Sequence, residues 1–180
     1  MCGIVGLFLK DPSLESMLGD MLTDMLVTMT DRGPDSAGIA IYSGETTGNA
    51  KLTVQSDTPE ADFAKLKNDL HKRVKGKVSI SVKDTHAVLE MQGDQVAEAR
   101  VVLTEIRPNV RVMSHGASLE IFKEVGLPKD VVTRFDVRTM SGSHGIGHTR
   151  MATESAVTTM GAHPFNTVPD QCLVHNGSLS

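Results

Sequence analysis

The chain contains no tryptophan, and aromatic residues make up only 3% of its 180 positions. Platforms that stack single-stranded bases need several such rings, so a nucleic-acid partner is not expected. Basic charge is also in short supply. Lys and Arg number 18 against 22 Asp and Glu, a formal net charge of −4, which is the wrong sign for phosphate backbones or anionic lipid. No apolar run approaches the roughly 20 residues of a membrane span, and the N-terminus lacks a basic flank followed by an apolar core. With two cysteines, Cys2 and Cys172, a disulfide framework is ruled out. These absences together lead to the expectation of a cytoplasmic protein that engages neither nucleic acid nor membrane.

What is present suits a globular domain: 39% hydrophobic and 22% charged residues are ordinary for a chain long enough to bury a core. Gly3 to Leu9 reads as a short buried strand. The apolar residues from Leu14 to Met29 fall at helical spacing, and the Met-rich stripe is read as core packing. The polar turn DRGPDS (31–36) leads into a second strand, Gly38 to Tyr42. Residues 43–143 carry a different pattern. An exposed helix is expected over Ala61 to Val74, strands over Val78 to Val82, His86 to Met91 and Val110 to Met113, and a short helix over Leu119 to Val125. Gln95 to Ile106 fits helix or strand. This stretch is read as a small α+β insertion between two halves of one sheet. Leu173 to His175 reads as a strand entering a turn at Asn176-Gly177, with the last residue three positions on, so the sequence is expected to be the N-terminal part of a longer polypeptide.

Three positions carry chemistry. Met1 is followed by a small residue, the pattern that favours methionine removal, which would expose Cys2 with a free α-amine. An α-amine titrates at about 7.7–8.0 and can take a proton from a neighbouring thiol, so one residue supplies nucleophile and base. An early cysteine alone is as readily an ordinary free thiol. Asn176-Gly177 can point a side-chain amide and a backbone N–H at one spot, as an oxyanion hole requires, although Asn-Gly by itself is more often a tight turn. Arg150, ending GIGHTR, can clamp a carboxylate in bidentate fashion or form an ion pair.

Taken in order, the segments CGIVG (2–6), RGPDSAG (32–38), GHTRMAT (147–153), AHPF (162–165) and VHNGSLS (174–180) resemble the class II glutamine amidotransferases, whose N-terminal domain is an N-terminal-nucleophile (Ntn) hydrolase. The match covers residues 1–42 and 144–180. The resemblance implies an α+β fold, a four-layer αββα sandwich, with residues 1–180 as a type-2 amidotransferase domain cut short at its C-terminus. It implies Cys2 as nucleophile, Asn176 and Gly177 as oxyanion hole, and Arg150 as the group binding the glutamine α-carboxylate. Thr153 contacts the same substrate, with Met151 and Arg32 at the margin of that set. Arg32 and Asp35 lie in the loop organising the nucleophile's surroundings, and His163-Pro164 in the pocket wall. His148 and His175 are read as packed strand residues, and Cys172 as a buried core thiol.

The implied reaction is hydrolysis of the L-glutamine side-chain amide through a Cys2 thioester, with ammonia passed to a partner subunit. No cofactor is expected in the chain itself. The long middle segment, together with RGPDSAG, TRMATES and CLVHNGSLS, makes the chain resemble stand-alone subunits of glutamate-synthase-like complexes, including N-methylglutamate synthase, whose synthase partners carry flavin and iron–sulfur groups. The alternatives are the amidotransferase part of an asparagine-, phosphoribosylamine- or hexosamine-forming enzyme, and a non-catalytic assembly or regulatory subunit of the same fold. The aspartate that binds the glutamine α-amine in this family is expected beyond Ser180.

Overall fold

A computed structural model of the chain describes residues 1–44, 48–152 and 156–177. In chain order the elements are β1 (Gly3–Phe8), α1 (Leu18–Thr28), β2 (Ser36–Tyr42), β3 (Asn49–Gln55), α2 (Pro59–Asp62), α3 (Leu66–His71), β4 (Ser79–Lys83), β5 (His86–Gln92), α4 (Val96–Ile106), β6 (Arg111–Gly116), β7 (Leu119–Val125), α5 (Pro128–Arg134), β8 (His144–Arg150), β9 (Phe165–Val168) and β10 (Gln171–Leu173). The chain is mixed α/β, with antiparallel sheets. One sheet runs β1-β8-β2-β7, a second β4-β5-β3-β6, and β9 pairs with β10 alone.

Period-2 alternation decides which face each strand buries. In β2, Ala37, Ile39 and Ile41 join Val5, Phe122 and the Leu18, Leu22 and Leu26 stripe of α1 in one core, to which α5 adds Val131 and Val132. The opposite face of the same strand sends Ala40 to Met113, Leu119 and Ile121 in a smaller cluster. Leu52 and Val54 of β3 and Ala87, Leu89 and Met91 of β5 pack instead on Leu66, Leu70, Ala99, Val102 and Leu103 of α3 and α4. Helix α1 lies close on its sheet because β8 carries glycine beneath it. A Cβ on Gly147 would sit 2.8 Å from Val5 Cγ2 and 2.9 Å from a Leu26 methyl.

Several sequence expectations shift. The helix expected from Leu14 begins at Leu18. Pro12–Met17 form a 3-10 turn whose start is capped by the Asp11 carboxylate accepting from the Ser13 N–H. Leu14 and Met17 are exposed there, so the methionine stripe enters the core only in part, through Met25 and Met29 at its margin. Ala61 to Val74 is two short helices broken at Lys65, whose φ is +58°, and Phe63, Leu66, Leu70 and Val74 are buried rather than exposed. The largest correction is Leu119 to Val125, a strand and not a helix. Its seven residues pair one-for-one with β2, and that long-range ladder overrides a local pattern compatible with either state. Gln95 to Ile106 resolves as helix. Residues 49–125 supply the whole second sheet and β7 of the first, so the middle of the chain carries a large share of the core.

No helix among the described residues is long and apolar enough to cross a membrane.

Candidate active site

Cys2 stands immediately before β1 and is half-buried. Its neighbour anchors it. Gly3 pairs with Thr149 across β1 and β8, and its backbone N–H donates to Thr149 Oγ1 at 3.1 Å. That hydroxyl donates onward to the Met29 carbonyl at 3.2 Å, which ties the start of β1 to the end of α1. A side chain at position 3 has no room. Its Cβ would lie 2.8 Å from both Met29 Cβ and Thr149 Oγ1, and 3.3 Å from Arg32 Cβ. Arg32 therefore abuts the residue that follows Cys2, with its side chain exposed.

The 32–35 loop also grips the exit of β8. The Asp35 N–H donates to the Arg150 carbonyl at 3.1 Å, and its carboxylate accepts from the Ala152 N–H at 2.7 Å. Gly33 presses against the same backbone, where a Cβ would fall 2.6 Å from Arg150. Arg150 lies opposite Ser36 in the β2–β8 ladder, and its Nη1 donates to the Ala156 carbonyl at 3.3 Å. Met151, at 37% exposure, accepts at its sulfur from the Met1 amine, 3.2 Å away. Thr153 lies outside the described residues.

The decisive contact joins the two ends of the chain. Asn176 Nδ2 donates to the Cys2 carbonyl at 3.1 Å, bridging 174 positions of sequence. Gly177 follows with φ +147°, a backbone region that glycine enters without a Cβ penalty. Behind this turn His148 is fully buried, and its Nε2 donates to the His175 carbonyl at 3.0 Å. Since a carbonyl can only accept, the proton of His148 sits on Nε2. Its ring stacks on His163 with centroids 4.3 Å apart, and His163 meets His175 and Phe165 edge-on at 4.7 and 4.4 Å.

Burial pulls the pKa of His148 below the ordinary imidazole value, and that of His163 down to about 3. His163 is thus neutral and too weak a base for general-base work near pH 7. The carbonyls of Ala162 and Pro164, beside the cis His163–Pro164 bond, accept from the buried Lys123 ammonium at 2.7 and 3.1 Å. Desolvation lowers the pKa of Lys123 to about 8. His175 lies past the end of β10, outside any strand. Cys172 is half-buried, accepting a long contact from the Tyr42 hydroxyl at 3.5 Å.

Asn176 thus meets Cys2, with Gly177 next to it in the chain, Arg32 and Met151 touch the residues on either side of Cys2, and Arg150 ends the strand that pairs with β1. Sequence reasoning did not single out Thr149, although it follows His148 inside the same motif, nor Asp170. The Asp170 carboxylate accepts from the N–H groups of Ala117, Ser118 and Leu119 at 2.7, 2.8 and 3.0 Å and so fastens the β9–β10 hairpin to the β6–β7 turn. Burial would raise its pKa, but those donors outweigh it and hold the carboxyl below its usual range.

Cavities of about 420, 310 and 510 Å³ lie elsewhere, two of them lined by Arg100 and His115 and the third by Phe63 and Val82. A concave pocket commonly marks a site. The thiol and the amide that bonds to its residue lie outside these three. Among the described residues no group of three or more His, Cys, Asp or Glu is arranged to hold a metal ion.

Fold and site define a mixed α/β chain that sets a thiol at the head of an edge strand and an Asn-Gly turn against it. Over its whole length the chain is 66% identical to the glutamine amidotransferase-like protein GlxB of Rhizobium meliloti. It is 33% identical to a Methanothermobacter thermautotrophicus protein named provisionally as a glutamine amidotransferase. A shorter stretch of 68 residues, 37% of the chain and 11% of the relative, is 38% identical to a glutamine–fructose-6-phosphate aminotransferase of Streptococcus pyogenes. The chain spans 60% and 62% of the lengths of the first two relatives. No family model matches it.

Proposed function

We propose that the chain is the glutamine-hydrolysing part of a class II amidotransferase of the Ntn type, with Cys2 as the nucleophile once Met1 is removed. The observation that carries this is the Asn176 Nδ2 contact to the Cys2 carbonyl at 3.1 Å. It brings the amide of the turn to the thiol-bearing residue across the full length of the sequence. Whole-length likeness to proteins named for glutamine amidotransfer supports the substrate class. The helix-covered sheets support a reading of the fold as an αββα sandwich.

Removal of Met1 moves the chain's α-amine onto Cys2 itself. The amine takes the thiol proton, the sulfur attacks the side-chain carbonyl carbon of L-glutamine, and negative charge gathers on the carbonyl oxygen. An Asn NH₂ carries two N–H bonds. With one held by the Cys2 carbonyl, the amide is oriented before substrate arrives, and the second serves the oxyanion together with the Gly177 backbone N–H. As the C–N bond breaks, the proton held by the amine goes to the departing nitrogen, releasing ammonia and leaving a γ-glutamyl thioester. Water attacks that thioester and returns glutamate and the free thiol. Arg150, braced through the Ala156 carbonyl, takes the substrate α-carboxylate, with Thr153, Met151 and Arg32 around it. Ammonia passes to synthase subunits carrying flavin and iron–sulfur groups, in a complex of the glutamate synthase or N-methylglutamate synthase kind.

The test is ammonia release from glutamine by the full-length protein with its co-purified partners, comparing the wild type with Cys2→Ala. Turnover that vanishes in Cys2→Ala supports the proposal, and turnover that survives overturns it.

A further inference from the structure

The Asn176-Gly177 turn has few anchors. Strand β10 ends at Leu173, and residues 174–177 belong to no helix or strand. Among the described residues two hydrogen bonds hold them: Asn176 Nδ2 to the Cys2 carbonyl at 3.1 Å, and His148 Nε2 to the His175 carbonyl at 3.0 Å. A Cβ placed on Gly177 would meet nothing within 4 Å. Among the described residues packing meets this segment at the His175 ring, edge-on to His163 at 4.7 Å, while Asn176 and Gly177 themselves are exposed.

His148 is held by its strand and by ring stacking. It occupies the middle of β8, an interior strand, paired with Ile4 of β1 and Gly38 of β2. Its side chain is 0% exposed, and its ring is stacked on His163. The carbonyl it binds belongs to the peptide joining His175 to Asn176. In a planar trans peptide the oxygen of residue 175 shares one plane with the Asn176 nitrogen and Cα, so holding that oxygen restrains where the Asn176 Cα sits.

We infer that His148 is a positioning residue for the amide hydrolysis, holding the Asn176-Gly177 turn in register with Cys2 through its Nε2–H bond to the His175 carbonyl. This inference rests on the proposed role of Asn176 and Gly177 as oxyanion donors. It assigns His148 no proton transfer: the ring keeps its proton on Nε2 throughout the cycle, and its contribution is to orientation. A turn free to move by even an ångström would still admit glutamine, which is bound elsewhere, but would stabilise the transition state less well. The effect then belongs in kcat and not in KM.

Two amide substitutions of similar polarity separate this from a packing role. The nitrogen of Gln falls near the position of imidazole Nε2, and that of Asn near Nδ1. In the full-length enzyme His148→Gln keeps a donor facing the His175 carbonyl, and His148→Asn withdraws it. Steady-state glutaminase kinetics should give a kcat for His148→Asn at least about tenfold below that of His148→Gln, with KM values within about twofold. Alkylation of Cys2 by iodoacetamide, which needs no oxyanion donor, should proceed at the same rate in both. Equal kcat values in the two variants, high or low, overturn the positioning role, as does a difference that appears only in KM. If wild-type turnover itself survives Cys2→Ala, the proposed function fails. If wild-type turnover depends on Cys2 while His148→Asn matches His148→Gln, only the present inference fails.

Discussion

At the scale of single residues, Asn176 already commits one N–H to the Cys2 carbonyl at 3.1 Å. Replacing it by alanine removes both the proposed oxyanion donor and that anchor. Loss of one such donor typically costs about 10²–10³ in rate, so Asn176→Ala should lower glutaminase kcat by at least that factor while the protein remains folded; circular dichroism beside the kinetics checks both. Gly3 is the other sharp position. Its missing side chain lets β1 approach Met29 and Thr149, and Gly3→Ala should destabilise the fold by roughly 1–3 kcal/mol, the usual penalty for overpacking. Chemical denaturation midpoints measure it. Cys2, Arg150 and Asn176-Gly177 stand out in the sequence because the proposed nucleophile, clamp and oxyanion turn each need particular residue types. Thr149 and Asp170 do not. Their work is hydrogen bonding to backbone N–H groups distant in sequence, and nothing in the local pattern announces such partners.

Among elements, the pairing of α1 with β8 illustrates how glycine spacing sets a distance between layers. Gly145 and Gly147 lie beneath Leu22 and Leu26, and a Cβ on either would fall within 3 Å of a leucine methyl. Gly147→Val should push α1 off the sheet and cost about 1–3 kcal/mol, read as a drop in thermal midpoint. Strands with clean alternation or short apolar runs, such as β1, β2 and β5, were readable from sequence, since one face of each must be buried. Strand β7 was not. LEIFKEV has apolar residues at positions 1, 3, 4 and 7, a spacing that suits a helical face as well as a strand. Only its ladder with β2 decides. The Ala61–Val74 helix misled for a related reason: its many lysines mask a buried stripe of Phe63, Leu66, Leu70 and Val74.

For the molecule as a whole, buried imidazoles govern acid stability. Burial lowers His86 and His163 to about 3, and lowers His144 and His148 as well. The unfolded chain binds protons at these sites from about pH 6.5 downward while the folded chain does not, so stability falls as pH drops through this range. Carboxylates, with reference values near 4, add to the loss only at lower pH. Urea midpoints should therefore decline between pH 6.5 and 5, and His86→Phe should flatten that decline. The two-sheet organisation of residues 49–125 was hidden from sequence because its strands pair across long separations, whereas the chemistry at both ends lay in short motifs. Intact mass of the full-length protein, before and after treatment with the glutamine analogue 6-diazo-5-oxo-norleucine, tests the proposed N-terminal-thiol glutaminase most directly. Loss of Met1 and a single adduct on Cys2, absent from Cys2→Ala, is the expected result. A protein that keeps Met1 and stays unlabelled with its partner subunits present would contradict it.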